Sequence, residues 1–275
     1  MKKLLYLIPC LMLALTSCEM FEFDNFDGPD AKVNGAFIDT KTGEPVPMEF
    51  YATVTSSWWG TTTTPAAAIM QVTETGWDAE SVQQWYVKYT GKYQNDRVFA
   101  GDYKLDFSKL NVYNQEGVTF SLKKGANDNV NFNVTPYCRI VDEVITYDAA
   151  AKKFKATFKV ELGDASKANN GVNVVFAANT NNFVGSNFNY CNADPEAKKY
   201  GVTPGETITL YLNADPAGVN KAEFEYNRPH YLRGCAVVTG SDNPNNLYNY
   251  SPVYVAKPAD GTANNFSISE YVWEN

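Results

Sequence analysis

The period of the apolar residues limits this chain most: it is two almost everywhere. In "VTFSL" Val118, Phe120 and Leu122 alternate with Thr119 and Ser121, and in "VNFNV" Val130, Phe132 and Val134 alternate with two asparagines. "FKATFKV" puts Phe154, Ala156, Phe158 and Val160 on one face and Lys155, Thr157 and Lys159 on the other. "TITLYL" continues the pattern through Ile208, Leu210 and Leu212. Half-buried strands separated by Gly, Pro, Asn and Asp turns predict an all-β chain built of sandwiches. The best helical candidate is "DPEAKKYG" at 194–201, a turn or two at most.

Two tandem β-sandwiches fit the length better than one. The first is expected over residues 31–135 and ends on the strand before "TPY". Pro136 removes a backbone donor and holds Thr135 extended, which suits a domain joint. The second, 136–275, is expected to carry strands near 138–147, 153–162, 172–178, 206–212, 231–239 and 247–256. Its last stretch, "NNFSISEYVWEN", ends in Val272 and Trp273 and reads as an edge strand packed back on the body.

The N-terminus speaks about address rather than fold. Lys2 and Lys3 precede an apolar stretch, Leu4 to Leu15, of twelve residues. A bilayer-spanning helix needs about 20, so residues 1–17 read as a secretory signal. "LTSC" resembles a bacterial lipobox, which makes Cys18 the lipid-attachment site and residues 1–17 a lipoprotein signal peptide. Stable anchoring takes about two acyl chains, and the three such a cysteine carries exceed that. Residues 18–30 form an acidic tether, with Glu19, Glu22, Asp24, Asp27 and Asp30. This stretch is similar to the surface-export signal of Bacteroidetes lipoproteins. The expected location is therefore the outer membrane, facing outwards, with contact to the bilayer through the lipid alone.

Charge excludes one large class of partner. Losing residues 1–17 leaves 21 basic against 31 acidic side chains, the wrong balance for nucleic acid, whose phosphates demand clustered Lys and Arg. Cys138, Cys191 and Cys235 remain after Cys10 leaves and Cys18 is lipidated. Three cysteines permit at most one internal disulfide, with the pair undetermined. The predicted second strand of the second sandwich, "KFKATFKVEL", has no cysteine, which argues against an antibody-type bridge between sheets.

"VNGAFIDTKTGEPVP" resembles the start of a prealbumin-like or carboxypeptidase-regulatory module, with Gly35 in the first strand and Asp39 at its end. "MQVTETGW", "VKYTGKYQNDRVFAGDYKL" and "FNVTPYCRI", in that order, resemble a two-domain Bacteroidetes lipoprotein family, domain-of-unknown-function family 3823. The resemblance implies a fibronectin III or immunoglobulin-like second sandwich. It also implies a role beside starch-utilisation-like transporters, each a pore with a glycan-capturing lid lipoprotein. No catalytic residues and no cofactor come with it.

Sugar binding needs flat aromatic faces and amide or carboxylate partners for hydroxyls. Trp58 and Trp59 in "SSWWGTTTTP" are candidates, because Gly60 and Pro65 predict a loop. In "QQWYVKY" one of Trp85 and Tyr86 should face outwards, and Trp85 is taken as a candidate. Trp77, after a turn glycine, reads as core. Tyr190 in "NTNNFVGSNFNYC", and Tyr248 and Tyr250 in "GSDNPNNLYNYSPVY", would meet if loops of one sandwich end converge. The competing reading is a solvated tip whose asparagines serve turns. No EF-hand spacing is present. His230 is the one histidine, and Cys235, five residues on, falls on the opposite strand face.

The expected protein is thus a non-catalytic, glycan-binding surface lipoprotein. The alternative is a lipoprotein that docks on a transporter complex or surface partner without touching sugar.

Overall fold

The computed structural model describes residues 28–48, 55–57, 60–62, 68–167, 171–186, 188–191, 193–259 and 265–273. Cys18, Trp58 and Trp59 lie outside the described residues. The first half supplies β1 (Ala31–Asp39), β2 (Thr55–Ser57), β3 (Gly60–Thr62), β4 (Ile69–Glu74) and β5 (Val82–Tyr86). Then come β6 (Lys92–Val98), β7 (Gly101–Asp106), β8 (Thr119–Leu122), β9 (Gly125–Asn127) and β10 (Phe132–Val134).

One sheet runs β10-β1-β6, and β9 also pairs with β1. The other runs β5-β4-β7-β8. The β1–β9 and β1–β10 pairs are parallel, while β1–β6 and all pairs of the second sheet are antiparallel. Their inner faces enclose an aromatic core in which Phe37 packs on Tyr93, Phe107 and Phe132, and Trp85 on Tyr103 and Phe120. Phe132 and Val134 face inwards as the alternation predicts.

The second half comprises β11 (Cys138–Asp148), β12 (Lys153–Leu162), β13 (Val172–Asn179), β14 (Lys198–Val202) and β15 (Thr207–Asn213). It closes with β16 (His230–Val238), β17 (Asn249–Tyr250), β18 (Tyr254–Pro258) and β19 (Phe266–Glu270). Sheets β11-β12-β15 and β14-β13-β16-β18-β19 face each other, with β17 alongside β16. That is the immunoglobulin-like arrangement, A-B-E against C′-C-F-G, with β19 as an added edge strand. Phe154, Ala156, Phe158 and Val160 are all fully buried against Ile208, Leu210 and Leu212. The expected helix at 194–201 shrinks to one 3-10 turn, Pro195–Ala197, capped by Asp194, because β14 starts at Lys198 and pairs with β13. A one-turn α-helix, Lys221–Phe224, precedes β16.

The central strands β13 and β16 are buried on both faces. Val174, Phe176 and Leu232 point into the sandwich. Val175, Ala177 and Cys235 point outwards into a smaller cluster with Val184, Tyr250 and Val253. That outer face is where the first sandwich docks. Among the described residues Cys138, Cys191 and Cys235 are buried and form no disulfide.

The joint is fastened by buried polar groups. Arg139 on β11 donates two hydrogen bonds, of 2.5 and 2.6 Å, to Asp39 at the end of β1. Burial alone would raise the Asp39 carboxyl. The guanidinium bonds and the Lys41 N–H more than offset this and hold it below the usual carboxylate range. Asn111 donates to the carbonyls of Pro47 and Tyr248, Asn249 donates back to Asn111, and Arg233 donates to Met48. Gly163 lets the chain cross closely here, since a Cβ would sit 1.6 Å from the Pro136 carbonyl oxygen.

Candidate functional site

The asparagine-rich loops spend much of their amide chemistry on themselves. Asn179 caps Asn181 and Asn181 caps Phe183, two successive Asx turns after β13. Asn243, almost wholly buried, bonds Val238, the Leu247 carbonyl and the Leu247 N–H, fixing the loop before β17. These turns hold the loops rigid at one edge of the joint.

An aromatic wall forms there from segments far apart in sequence. Tyr89, in the turn between β5 and β6, packs on Trp273 with ring centroids 3.7 Å apart, and on Phe183 at 5.0 Å. Trp273 meets Tyr271 edge-on at 4.8 Å, and Tyr271 meets Tyr231 at 5.3 Å. All five rings are partly exposed. The C-terminal segment reaches this place because the Tyr271 N–H donates to the Val253 carbonyl just past β19. Alternation then turns Trp273 in and leaves Val272 82% exposed.

The wall carries polar handles. The Asn182 amide donates to the Tyr271 hydroxyl at 3.0 Å. Burial, and then the neighbouring Tyr271, push the Tyr89 and Tyr231 phenols up from their ordinary values, so both stay protonated donors at neutral pH. Rings plus neutral hydroxyl and amide groups suit a neutral polyhydroxylated ligand.

The expected site residues divide around this wall. Tyr248 lies half-buried beside it, in the cluster with Tyr231, Tyr271 and Trp273. Tyr250 joins the same cluster but is only 5% exposed, covered by Arg233 at 4.5 Å and near Ser186 at 3.2 Å. The two loops therefore converge, yet Tyr250 is a packing residue. Tyr190 turns to the opposite face and makes a 2.5 Å hydrogen bond with His230 Nδ1. Burial, and then Arg228, push the His230 imidazole down to about 4, so it is neutral. Cys235 lies on the other face of β16, in the outer cluster.

Two tryptophans exchange roles. Trp85 is core, 4% exposed with its Nε1–H donating to Gln83, and Tyr86 is the outward neighbour. Trp77, expected in the core, is 56% exposed because the β4–β5 turn carries it beyond both sheets. Sequence reasoning missed Tyr89, Phe183, Tyr231 and Tyr271, and read Trp273 only as part of an edge strand packed on the body. A signal existed for Tyr271, which follows the last predicted edge strand, and for Phe183, which stands among turn-forming asparagines.

A cavity of about 250 Å³ lies at the joint, walled by Pro45, Pro47, Pro136 and Pro252 and by the Asp39–Arg139 pair. Asp39 and Arg139 there satisfy each other. Glu143 is the carboxyl pushed furthest up, to about 7 by burial. Both of its oxygens are sealed from solvent, so no substrate reaches them. Among the described residues no cluster of three metal-ligating side chains occurs.

No family model and no curated protein matches the sequence. Solved structures do. A "putative carbohydrate binding protein" from Bacteroides uniformis matches at 26% identity and a TM-score of 0.68, over 84% of this chain and 100% of that one. A DUF3823 family protein from Parabacteroides merdae matches at 21% identity and a TM-score of 0.60, over 82% and 98%. Another, from Bacteroides ovatus, matches at 17% and 0.57, over 82% and 97%. The latter two likenesses establish the fold.

Proposed function

We propose that this chain, which shares the fold of DUF3823 family proteins, is a non-catalytic lipoprotein that binds an oligo- or polysaccharide. The observation that carries this reading is the wall of Tyr89, Phe183, Tyr271 and Trp273 with the Asn182 amide among its hydroxyls. The structural relative described as a putative carbohydrate binding protein supports it. Cys18 anchors the protein to the outer membrane, facing outwards, beside a starch-utilisation-like transporter and its lid lipoprotein. That part of the reading rests on the lipobox and the acidic tether. Each contact is weak, and many copies on one cell multiply it.

The test uses residues 19–275 run through native gels cast with starch, xyloglucan, arabinoxylan, pectin, mucin or yeast mannan. Trp273→Ala and Asn182→Ala run beside the parent. Retardation by one polysaccharide, reduced in both variants, is the expected result. Absence of retardation across the panel would instead favour docking on a partner protein.

A further inference from the structure

Another exposed aromatic, Tyr86, lies away from the wall at the joint. The outward face of the β5-β4-β7-β8 sheet carries polar side chains in cross-strand rows. Gln84 pairs across to Gln71 and Gln71 to Asp106, a strip of three hydrogen-bonding side chains. Two interstrand spacings make it about 10 Å long. Tyr86 shares its face with Gln84, two residues on, and is 56% exposed while its neighbour Trp85 is buried.

The strip opens into a groove. Beyond Asp106 lies a cavity of about 380 Å³ lined by Asp106, Ser108, Asn114, Gln115 and Glu116, within the size range of small-molecule sites. Its polar groups are set in place. Ser108 donates through its hydroxyl to Gln71 at 3.1 Å and through its N–H to Asp106 at 2.7 Å. Gln115 donates to the Asn133 carbonyl at 3.0 Å.

We infer that this sheet face is a second oligosaccharide-binding site, with Tyr86 as the stacking platform and Gln84, Gln71 and Asp106 as hydroxyl partners leading into the groove. The inference rests on the carbohydrate reading and adds a site on the other sandwich. A flat ring at one end and an amide–carboxylate strip ending in a groove suit an extended sugar chain. Val82, 58% exposed, shares this face with Gln84 and Tyr86, so its apolar surface lies along the β5 edge and the strip from Gln84 to Asp106 is polar. Two sites on one rigid molecule would grip one long polysaccharide at both sandwiches, and the second contact becomes intramolecular.

The experiment takes the polysaccharide that retards the parent and compares Tyr86→Ala, Gln71→Ala, Trp273→Ala and the Tyr86→Ala/Trp273→Ala double variant. Circular dichroism confirms that each is folded, and the exposed position of Tyr86 makes its removal harmless to the core. We expect Tyr86→Ala and Gln71→Ala each to weaken binding fivefold or more. The double variant should lose more than either parent variant. Unchanged binding in Tyr86→Ala and Gln71→Ala, with loss in Trp273→Ala, overturns the second site and leaves the carbohydrate reading intact. No binding by the parent overturns both.

Discussion

Arg139 and Glu143 sit four residues apart on the same strand, β11, and both bring charge into the interior. Arg139 finds Asp39 on the first sandwich and is matched at both nitrogens it presents. Glu143 lies in a β-bulge between Val141 and Val144, where Asp142 takes a positive φ of 55°. The bulge swings its carboxyl over Gly234, in a space a Cβ would occupy at 2.5 Å from Oε1. Burial outweighs what Ser251, Arg233 and the Gly234 N–H do to favour the charged form, and pushes this carboxyl up to about 7. One charge is kept by a partner across the joint, and the other is relieved by taking up a proton. The difference teaches that burial by itself does not decide the state of a charged group.

The largest effect should come from breaking the matched pair. Arg139→Met leaves Asp39 buried and alone, and we expect a loss of about 3–5 kcal/mol in urea unfolding. An Asp39→Leu/Arg139→Met double variant should recover most of it. If the single variant costs under about 1 kcal/mol, the pair does not fasten the joint.

Glu143 sharpens the contrast through pH. Its folded pKa, about 7, lies above the ordinary 4.5, so the folded protein holds a proton that the unfolded chain gives up. Stability from this group is full below about pH 4.5 and is lost as pH rises through 7, by about 3 kcal/mol in all. Glu143→Gln should remove that loss, which a comparison of unfolding at pH 5 and pH 8 would read. His230, lowered to about 4, acts in the opposite direction and costs stability as pH falls from 6.5 towards 4. The variant should therefore show the acid side of the curve more plainly. An unchanged slope between pH 5 and 8 would place the proton elsewhere.

The smallest effect is expected next to the bulge. Lys159 and Asp142 form a 2.9 Å ion pair whose members are largely exposed. Lys159→Ala should change stability by less than about 1 kcal/mol. A larger loss would mean that the pair holds the bulge, and through it Glu143.

Much of the fold was legible because alternation is a local code. Each strand from β11 to β13 begins and ends within a residue or so of its expected range, since the side chains that must face inwards are neighbours at i and i+2. The edge strand near the C-terminus was legible for the same reason, and β19 pairs with β18 there. The opposite faces of His230 and Cys235 also followed from alternation alone. The code fails where a turn decides. Trp77 looked apolar enough for the core, but the length of the β4–β5 turn carries it outside. At "WY" the pattern required one ring in and one out, without saying which. The β4–β5 register puts Trp85 opposite the buried Met70.

The candidate sites were less legible because they are made of distance. Tyr89 lies between β5 and β6 of the first sandwich and Trp273 just past the last strand of the second, and they meet only because one sandwich docks on the outer face of the other. Tyr190 and Tyr250 sit in similar asparagine-rich surroundings, yet the two faces of one sheet send them to separate clusters. The sequence by itself determined that the chain is all-β, which residues alternate inwards, and that its start carries a lipobox-like cysteine. Only the tertiary structure decided which exposed rings stand together and which buried charge has a partner. Side-chain direction is set by neighbours along the strand, whereas convergence is set by packing between strands remote in the chain.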